Sequence, residues 1–364
     1  MKIVIHRDKF LEGLQIVQSV VSSRTTLPVL SNVLLRAENG TLTLSTTDLD
    51  TGIRTSVEAE VEKAGAATLP ARRLLSIIRE LPATEITLDI DNKNAASIKA
   101  GSSFFKIMGL PEEDFPPFPK TEGARLFKLA QKDFREMLRK TNYAMSTDES
   151  RYVLNGALLS LKDRKLIVVA TDGRRLALVE QEMEFPKANE IDVILPTKAV
   201  NELLRTLGAE GDVEIAIAEN QIAFSIGNTY LISKLIEGNY PNYKQVIPSE
   251  TKERITLERE LFLTSIKRVA LLSSEKSNSV KLNFSKNGIE ITANTPDVGE
   301  ARESISVPYK GKEFSIAFNP EYLGDPLRNL DSDLVHFDFT DELSPGVIRH
   351  DKPFLYVIMP MRTA

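Results

Sequence analysis

The sequence predicts an α+β protein in which one folding unit is used three times, each copy with two helices and a mainly antiparallel set of strands. Three observations lead there. A strand, turn, strand pattern recurs at a near-constant interval, an amphipathic helical stripe recurs at almost the same interval, and 364 residues is the length of two or three domains.

Each copy opens on a helix. Phe10, Leu11, Leu14, Val17 and Val21 mark the first, Phe134, Met137, Leu138 and Thr141 the second, and Phe262, Ile266 and Val269 the third, at spacings that share one helical face. A hairpin follows. Its strands run over 33–37 and 42–48 around Asn39-Gly40, over 157–161 and 166–172 around a turn at 162–164, and over 280–284 and 289–294 around Asn287-Gly288. Period-two alternation about Asn-Gly is a strong hairpin signal. From Thr46 to Ala170 is 124 positions, and from Ala170 to Ala293 is 123. The second helix carries Leu74, Ile77, Ile78 and Leu81, repeated 126 positions later by Val200, Leu203, Leu204 and Leu207. Leu323, Leu327 and Leu330 give a third copy, which Gly324 and Pro326 interrupt, so a kinked or broken helix is predicted there. Strand-like runs over 86–90, 213–217 and 334–339 complete the copies. Proline-rich stretches at 115–119 and 240–248 read as linkers, which places the domains at 1–120, 121–248 and 249–364.

Composition removes whole classes of chemistry. With no cysteine, disulfides, thiolate nucleophiles and Cys-ligated metals are out, and His6, His336 and His350 are scattered among strand-like segments. No apolar run approaches the roughly 20 residues a membrane helix needs, and residues 1–7 have no signal-peptide core, so a cytoplasmic protein with no membrane partner is expected. His6-Arg7-Asp8 spells a kinase catalytic loop but has Gly13 where Asn is required. Asp48-Leu49-Asp50-Thr51-Gly52 resembles a calcium loop with its glycine one position early. Phosphate-binding and hydrolase motifs are absent from the sequence. The expectation is no catalytic residue, no metal and no cofactor.

Charge is unevenly placed. The six helical segments (8–22, 71–81, 131–141, 197–207, 258–270 and 319–330) hold fourteen basic and ten acidic residues, while the whole chain is at −5. Arg72, Ser76 and Arg79 lie opposite the apolar stripe of their helix, as do Lys132, Arg135 and Arg139, and Lys198, Asn201 and Arg205 repeat the second spacing. Singly, each stripe fits an ordinary solvated face. Three in related positions would converge on one concave surface if the domains form a crescent with helices lining the inner face and sheets outside. Such a surface suits phosphates without reading bases.

Several blocks then carry a resemblance across the whole chain: RTTLPVLSN at 24–32, LPAR at 69–72, RYVLNG at 151–156, ATDGRRLA at 170–177, YPNY at 240–243 and YVIMPMR at 356–362. Together they resemble the β subunit of bacterial DNA polymerase III, the sliding-clamp family. That resemblance implies a non-enzymatic ring of two crescents joined head to tail, encircling double-stranded DNA and tethering the replicative polymerase for processivity. It implies DNA contacts at Arg24, Arg72 and Tyr152, beside the basic stripes. It also implies a groove that takes a short peptide from the polymerase, the clamp loader and repair proteins. The matching groove positions are Leu154, Thr171, Gly173, Arg174, Arg175, Leu176, Pro241, Val246, Val357, Met359, Pro360, Met361 and Arg362. Ring closure would use Ile77, Leu81, Phe105 and Ile107 at one end, Leu271 and Leu272 at the other, and strand pairing between 104–108 and 303–307.

The chain departs from the family pattern at Asp148, Arg174, Gln245, Ser277 and the Thr363-Ala364 end. Two rival readings stay open: a repeat-built scaffold for another acidic partner, and a metal-dependent phosphoryl-transfer or hydrolytic enzyme using Asp48 or Asp172.

Overall fold

A computed structural model describes residues 1–21, 27–119, 121–273, 278–296, 298–350 and 353–362. Arg24, Ser277, Thr363 and Ala364 lie outside the described residues. The first third of the chain runs β1 (Lys2–His6), α1 (Arg7–Val17), β2 (Asn32–Glu38), β3 (Thr41–Thr47), β4 (Thr51–Glu58), a short β5 (Glu60–Lys63), β6 (Gly65–Pro70), α2 (Ala71–Glu80), β7 (Glu85–Ile90), β8 (Ala95–Ala100) and β9 (Ser103–Met108). The second runs β10 (Arg125–Ala130), α3 (Gln131–Arg139), β11 (Gly156–Lys162), β12 (Lys165–Thr171), β13 (Arg175–Glu182), β14 (Ile191–Pro196), α4 (Thr197–Thr206), β15 (Asp212–Ile217), β16 (Gln221–Ile226) and β17 (Thr229–Lys234). The third runs β18 (Glu253–Glu258), α5 (Arg259–Ala270), β19 (Val280–Ser285), β20 (Gly288–Thr295), β21 (Gly299–Ser306), β22 (Phe314–Phe318), α6 (Pro320–Asn329), β23 (Leu334–Phe339), β24 (Gly346–Arg349) and β25 (Phe354–Ile358).

The threefold repeat is therefore also a sixfold one. Each third is a strand, a helix and three strands, twice over, with β5 as an addition in the first. The described strands pair antiparallel throughout, and the sheets are assembled from half-domains. One compact unit, Met1–Arg135 with Lys198–Leu235, holds the five-stranded sheet β5-β1-β7-β8-β9 and the eight-stranded sheet β10-β15-β16-β17-β4-β3-β2-β6. The other, Glu136–Thr197 with Ile236–Ala364, holds the eight-stranded sheet β14-β11-β12-β13-β25-β24-β23-β18 and the four-stranded sheet β21-β20-β19-β22.

The apolar stripes do what their spacing predicts. Phe10, Leu14 and Val17 of α1 and Leu74 and Ile78 of α2 are buried in the first unit, where Phe134 also stacks on Phe224 at 5.9 Å. In the second, Phe284 lies 4.7 Å from the rings of both Phe314 and Phe339. Each such side chain contributes roughly 1.5–3 kcal/mol when fully buried. Ile77 is half-buried, and Leu75 takes the core position beside Leu74 instead.

One expectation fails. The helix over 320–329 is continuous, despite Gly324 and Pro326. Asn319 caps it by accepting the amides of Glu321 at 2.8 Å and Tyr322 at 3.4 Å, and Pro320 fits the first turn, where no amide is needed. Pro326 cannot donate to the carbonyl one turn back, that of Tyr322. The Tyr356 hydroxyl donates to that oxygen instead, at 2.8 Å, so the missing bond is replaced from β25.

Candidate functional site

The ATDGRRLA block forms the turn from β12 into β13. Asp172 Oδ1 accepts the amides of Arg174 at 2.9 Å and Arg175 at 3.1 Å, and the Thr171 hydroxyl donates to the Arg175 carbonyl at 2.6 Å while accepting the Gly173 amide at 3.0 Å. These bonds force Gly173 to φ +84°, where a β-carbon would also lie 2.9 Å from Arg151 Nη1. Only glycine fits without displacing that guanidinium, which donates to the Asp172 carbonyl at 3.0 Å.

Beyond the turn, Leu176 pairs with Val357 across the joint between β13 and β25. Both are core residues, 2% and 1% exposed, in a cluster with Leu158, Val169, Val347 and Leu355. Tyr240, Tyr243 and Ile247 of the linker pack against the same cluster, and burial pushes the Tyr240 hydroxyl well above the ordinary tyrosine range. Leu154 is buried too. What faces solvent is the rim: Pro241, Arg174 and Arg362 are exposed, as are Val246, Met359 and Met361, while Pro360 is half-buried. The Met359 amide donates to the Arg174 carbonyl at 3.0 Å and that of Met361 to the Ala317 carbonyl at 2.7 Å, so the terminal segment is fixed along this edge. Exposed, flexible methionines and Val246 above a buried apolar cluster can seat varied apolar peptides.

Arg175 points inward. Its Nε donates to Asp172 at 3.1 Å, its other nitrogens bond Asp325 and the Tyr143 carbonyl, and it lies 4.2 Å from the Tyr322 ring centre. It ties β13 to α6 and holds the turn. These partners were beyond sequence reasoning, because Asp325 lies 150 residues away.

The basic stripes fall into two groups. Arg72, Arg79, Lys132 and Arg135 are exposed, opposite the buried faces of α2 and α3, and have no ion pair with a described residue. Arg139 instead pairs with Asp331, Lys198 with Asp48, and Arg205 weakly with Glu202 at 3.9 Å. The Arg139 contact holds the Asp331 carboxyl below the usual range. Tyr152 is 58% exposed in a 3-10 turn (Glu149–Leu154) that Asp148 caps through the Ser150 amide at 3.0 Å.

Two sheet edges complete the picture. Along β9, Phe104, Phe105 and Met108 are exposed and Ile107 is buried. Leu81, after α2, is also buried, and Ile77 half-buried. In the second unit Leu271 is 80% exposed and Leu272 half-buried, near β21, where Glu303 accepts from Arg268 at 3.0 Å.

Family models of the DNA polymerase III beta subunit match most of the chain: its N-terminal domain over 1–119, its central domain over 128–242 and its C-terminal domain over 244–362. The chain belongs to that family. It is 37% identical to the beta sliding clamp of Chlamydia muridarum over 362 residues, covering 100% of this chain and 99% of that one. It is 36% identical to the beta sliding clamp of Pseudomonas aeruginosa, with both chains fully covered. Crystal structures of the Pseudomonas aeruginosa DnaN sliding clamp bound to griselimycin and of the Bacillus subtilis DNA polymerase sliding clamp superpose over the full length of both chains. Their TM-scores are 0.96 and 0.95, at 36% and 30% identity. The fold is thus three domains of the sliding-clamp type, and the protein is a DNA sliding clamp of the replicative polymerase, a processivity factor and not a catalyst.

Neither the scaffold nor the metal-dependent enzyme finds support in this clamp's relatives. The carboxylates proposed for the enzyme are engaged elsewhere: Asp172 holds the turn and Arg175, and Asp48 holds the equivalent turn and Lys198. Among the described residues no helix is long and apolar enough to cross a membrane.

Proposed function

We propose that two copies of this clamp join head to tail into a six-domain ring that encircles duplex DNA in the cytoplasm, with domain boundaries near 120 and 248. The strand order is the observation that carries this reading. The fourth strand of one domain pairs with the last strand of the next twice: β4 with β17, through Gly52 and Ile232, and β13 with β25, through Leu176 and Val357. By the same rule β21 needs a last strand from a fourth domain, and β9 needs a fourth strand from a domain before the first. Both end their sheets. A second copy supplies both, and a heterologous joint of this kind closes into a ring when its rotation allows.

Exposed Arg72, Arg79, Lys132 and Arg135 give the phosphate contacts, joined by Arg24 and Tyr152 and, after exchanging their carboxylate partners, by Arg139, Lys198 and Arg205. Such contacts are independent of sequence and weaken with salt. Holding is topological, so weak contacts leave sliding fast. The exposed rim of Pro241, Val246, Met359 and Met361, held above the buried cluster of Leu176 and Val357, receives a short apolar peptide of the polymerase, the clamp loader or repair proteins. Relatives from Pseudomonas aeruginosa and Bartonella birtlesii solved with griselimycin support a ligand-accepting recess on this fold.

The test is topological. Loaded on nicked circular DNA, the protein is retained through gel filtration. Linearising the circle at one site releases it. Equal release from both forms sinks the ring.

A further inference from the structure

The turn that carries the candidate peptide groove exists twice. In the turn from β3 into β4, residues 47–52 stand where 171–176 stand between β12 and β13: Thr47 faces Gly52 as Thr171 faces Leu176. Four side-chain hydrogen bonds correspond. The Leu49 amide donates to Thr47 Oγ1 at 3.0 Å, as that of Gly173 donates to Thr171 Oγ1. The Thr47 hydroxyl donates to the Thr51 carbonyl at 3.1 Å, as Thr171 does to Arg175. Asp48 Oδ1 accepts the amides of Asp50 at 3.0 Å and Thr51 at 2.7 Å, as Asp172 accepts those of Arg174 and Arg175. Leu49 even takes the left-handed conformation of Gly173, at φ +78°. Each turn meets the last strand of the next domain alike, since the Lys234 amide donates to the Asp50 carbonyl at 2.8 Å as that of Met359 does to Arg174.

The floors differ. Where the second turn has Leu176, the first has Gly52, and the Phe118 ring lies on it: a β-carbon at 52 would stand 3.1 Å from the ring and 3.3 Å from Ile232. Arg54 covers the ring from 5.6 Å, and Pro117 and Pro119 flank it. The space left at this turn is about 20 Å³, room for a single water.

We propose that the turn at 47–52 is a second peptide-type site whose occupant is the chain's own linker through Phe118, and that with the ring removed it takes an aromatic and proline-containing peptide in trans. The linker is tethered and stiffened by three prolines, so its effective concentration excludes outside peptides and leaves each protomer one open groove. The comparison rests on reading 171–176 as a groove. Binding at 47–52 is measured separately, so either result can fail alone.

The probe is a fluorescein-labelled hexapeptide of residues 114–119, titrated by anisotropy into the full chain. Phe118→Ala binds it roughly tenfold or more tighter than the parent, while Phe118→Leu, which keeps an apolar plug, stays within about twofold. Hydrogen exchange of the Phe118→Ala complex shows protection at 47–52 and 232–234. Equal affinity for parent and Phe118→Ala, or protection at 171–176 instead, overturns the proposal. Should Phe118→Ala not fold, Gly52→Leu puts the Leu176 side chain where the ring lies. Exchange across 112–118 then accelerates by roughly tenfold or more, and unchanged exchange refutes the plug.

Discussion

Leu176 and Met361 look interchangeable in the sequence, two apolar residues of one groove, yet the structure assigns them different work. Leu176 is sealed in the cluster beneath the joint, whereas Met361 is 36% exposed and held by its backbone to Ala317. Leu176→Ala therefore opens a cavity and costs about 2–4 kcal/mol of stability, read as a fall in denaturation midpoint at constant m. Met361→Ala leaves that midpoint within about 0.5 kcal/mol and weakens a bound polymerase peptide by roughly 5- to 30-fold. If Leu176→Ala is as stable as the parent, the side chain belongs to the groove surface and not to the core. Sequence patterning cannot separate the two, because hydrophobicity says that a side chain wants cover and not whether its own fold or a partner provides it. The same limit applies to the basic stripes. Spacing placed Arg135 and Arg139 on one face, but only the structure pairs Arg139 with Asp331, 192 residues on.

At the scale of elements, α2 to α6 lie within two residues of the spans their stripes gave, because an i, i+3, i+4, i+7 pattern states directly which face is buried, whereas α1 stops at Val17, short of Val21. The failure at α6 is instructive. Local rules judge Pro326 by the amide it lacks, and the remedy sits on β25, 34 residues from the carbonyl it satisfies. Tyr356 is fully buried and its hydroxyl is pushed well above the ordinary tyrosine range, by burial first, so it stays a neutral donor at any working pH. Tyr356→Phe keeps the ring's packing but leaves the Tyr322 carbonyl without that donor. The expected cost is about 1–2 kcal/mol, with faster amide exchange confined to α6. Unchanged exchange there means that α6 tolerates its proline unaided.

For the whole molecule, the threefold repeat was legible because hairpin residues such as Asn39-Gly40 and Asn287-Gly288 recur at fixed intervals, whereas the further halving of each domain was not. Half-domains share backbone order but no residue pattern, since a strand, helix and three strands can be written in many apolar alphabets. The halving matters because sheets join half-domain to half-domain, and that rule leaves β9 and β21 open. Leu271 is 80% exposed beside the second of these edges, a position that a monomer gains nothing by making apolar. Buried in a joint, it contributes roughly 1.5–3 kcal/mol, and Leu271→Glu removes this while setting an uncompensated carboxylate in the interface. The dimer dissociation constant, measured by sedimentation equilibrium, should therefore rise roughly thirtyfold or more. The folded protomer keeps its melting temperature, because a side chain 80% exposed has little burial of its own to lose. Retention on circular DNA falls in step with the weaker dimer, as a ring that opens cannot hold a closed circle. A Leu271→Glu protein with parental dimer affinity would remove this residue from the joint. Undiminished retention despite weaker association would mean that holding DNA depends on the charged helix faces and not on closure.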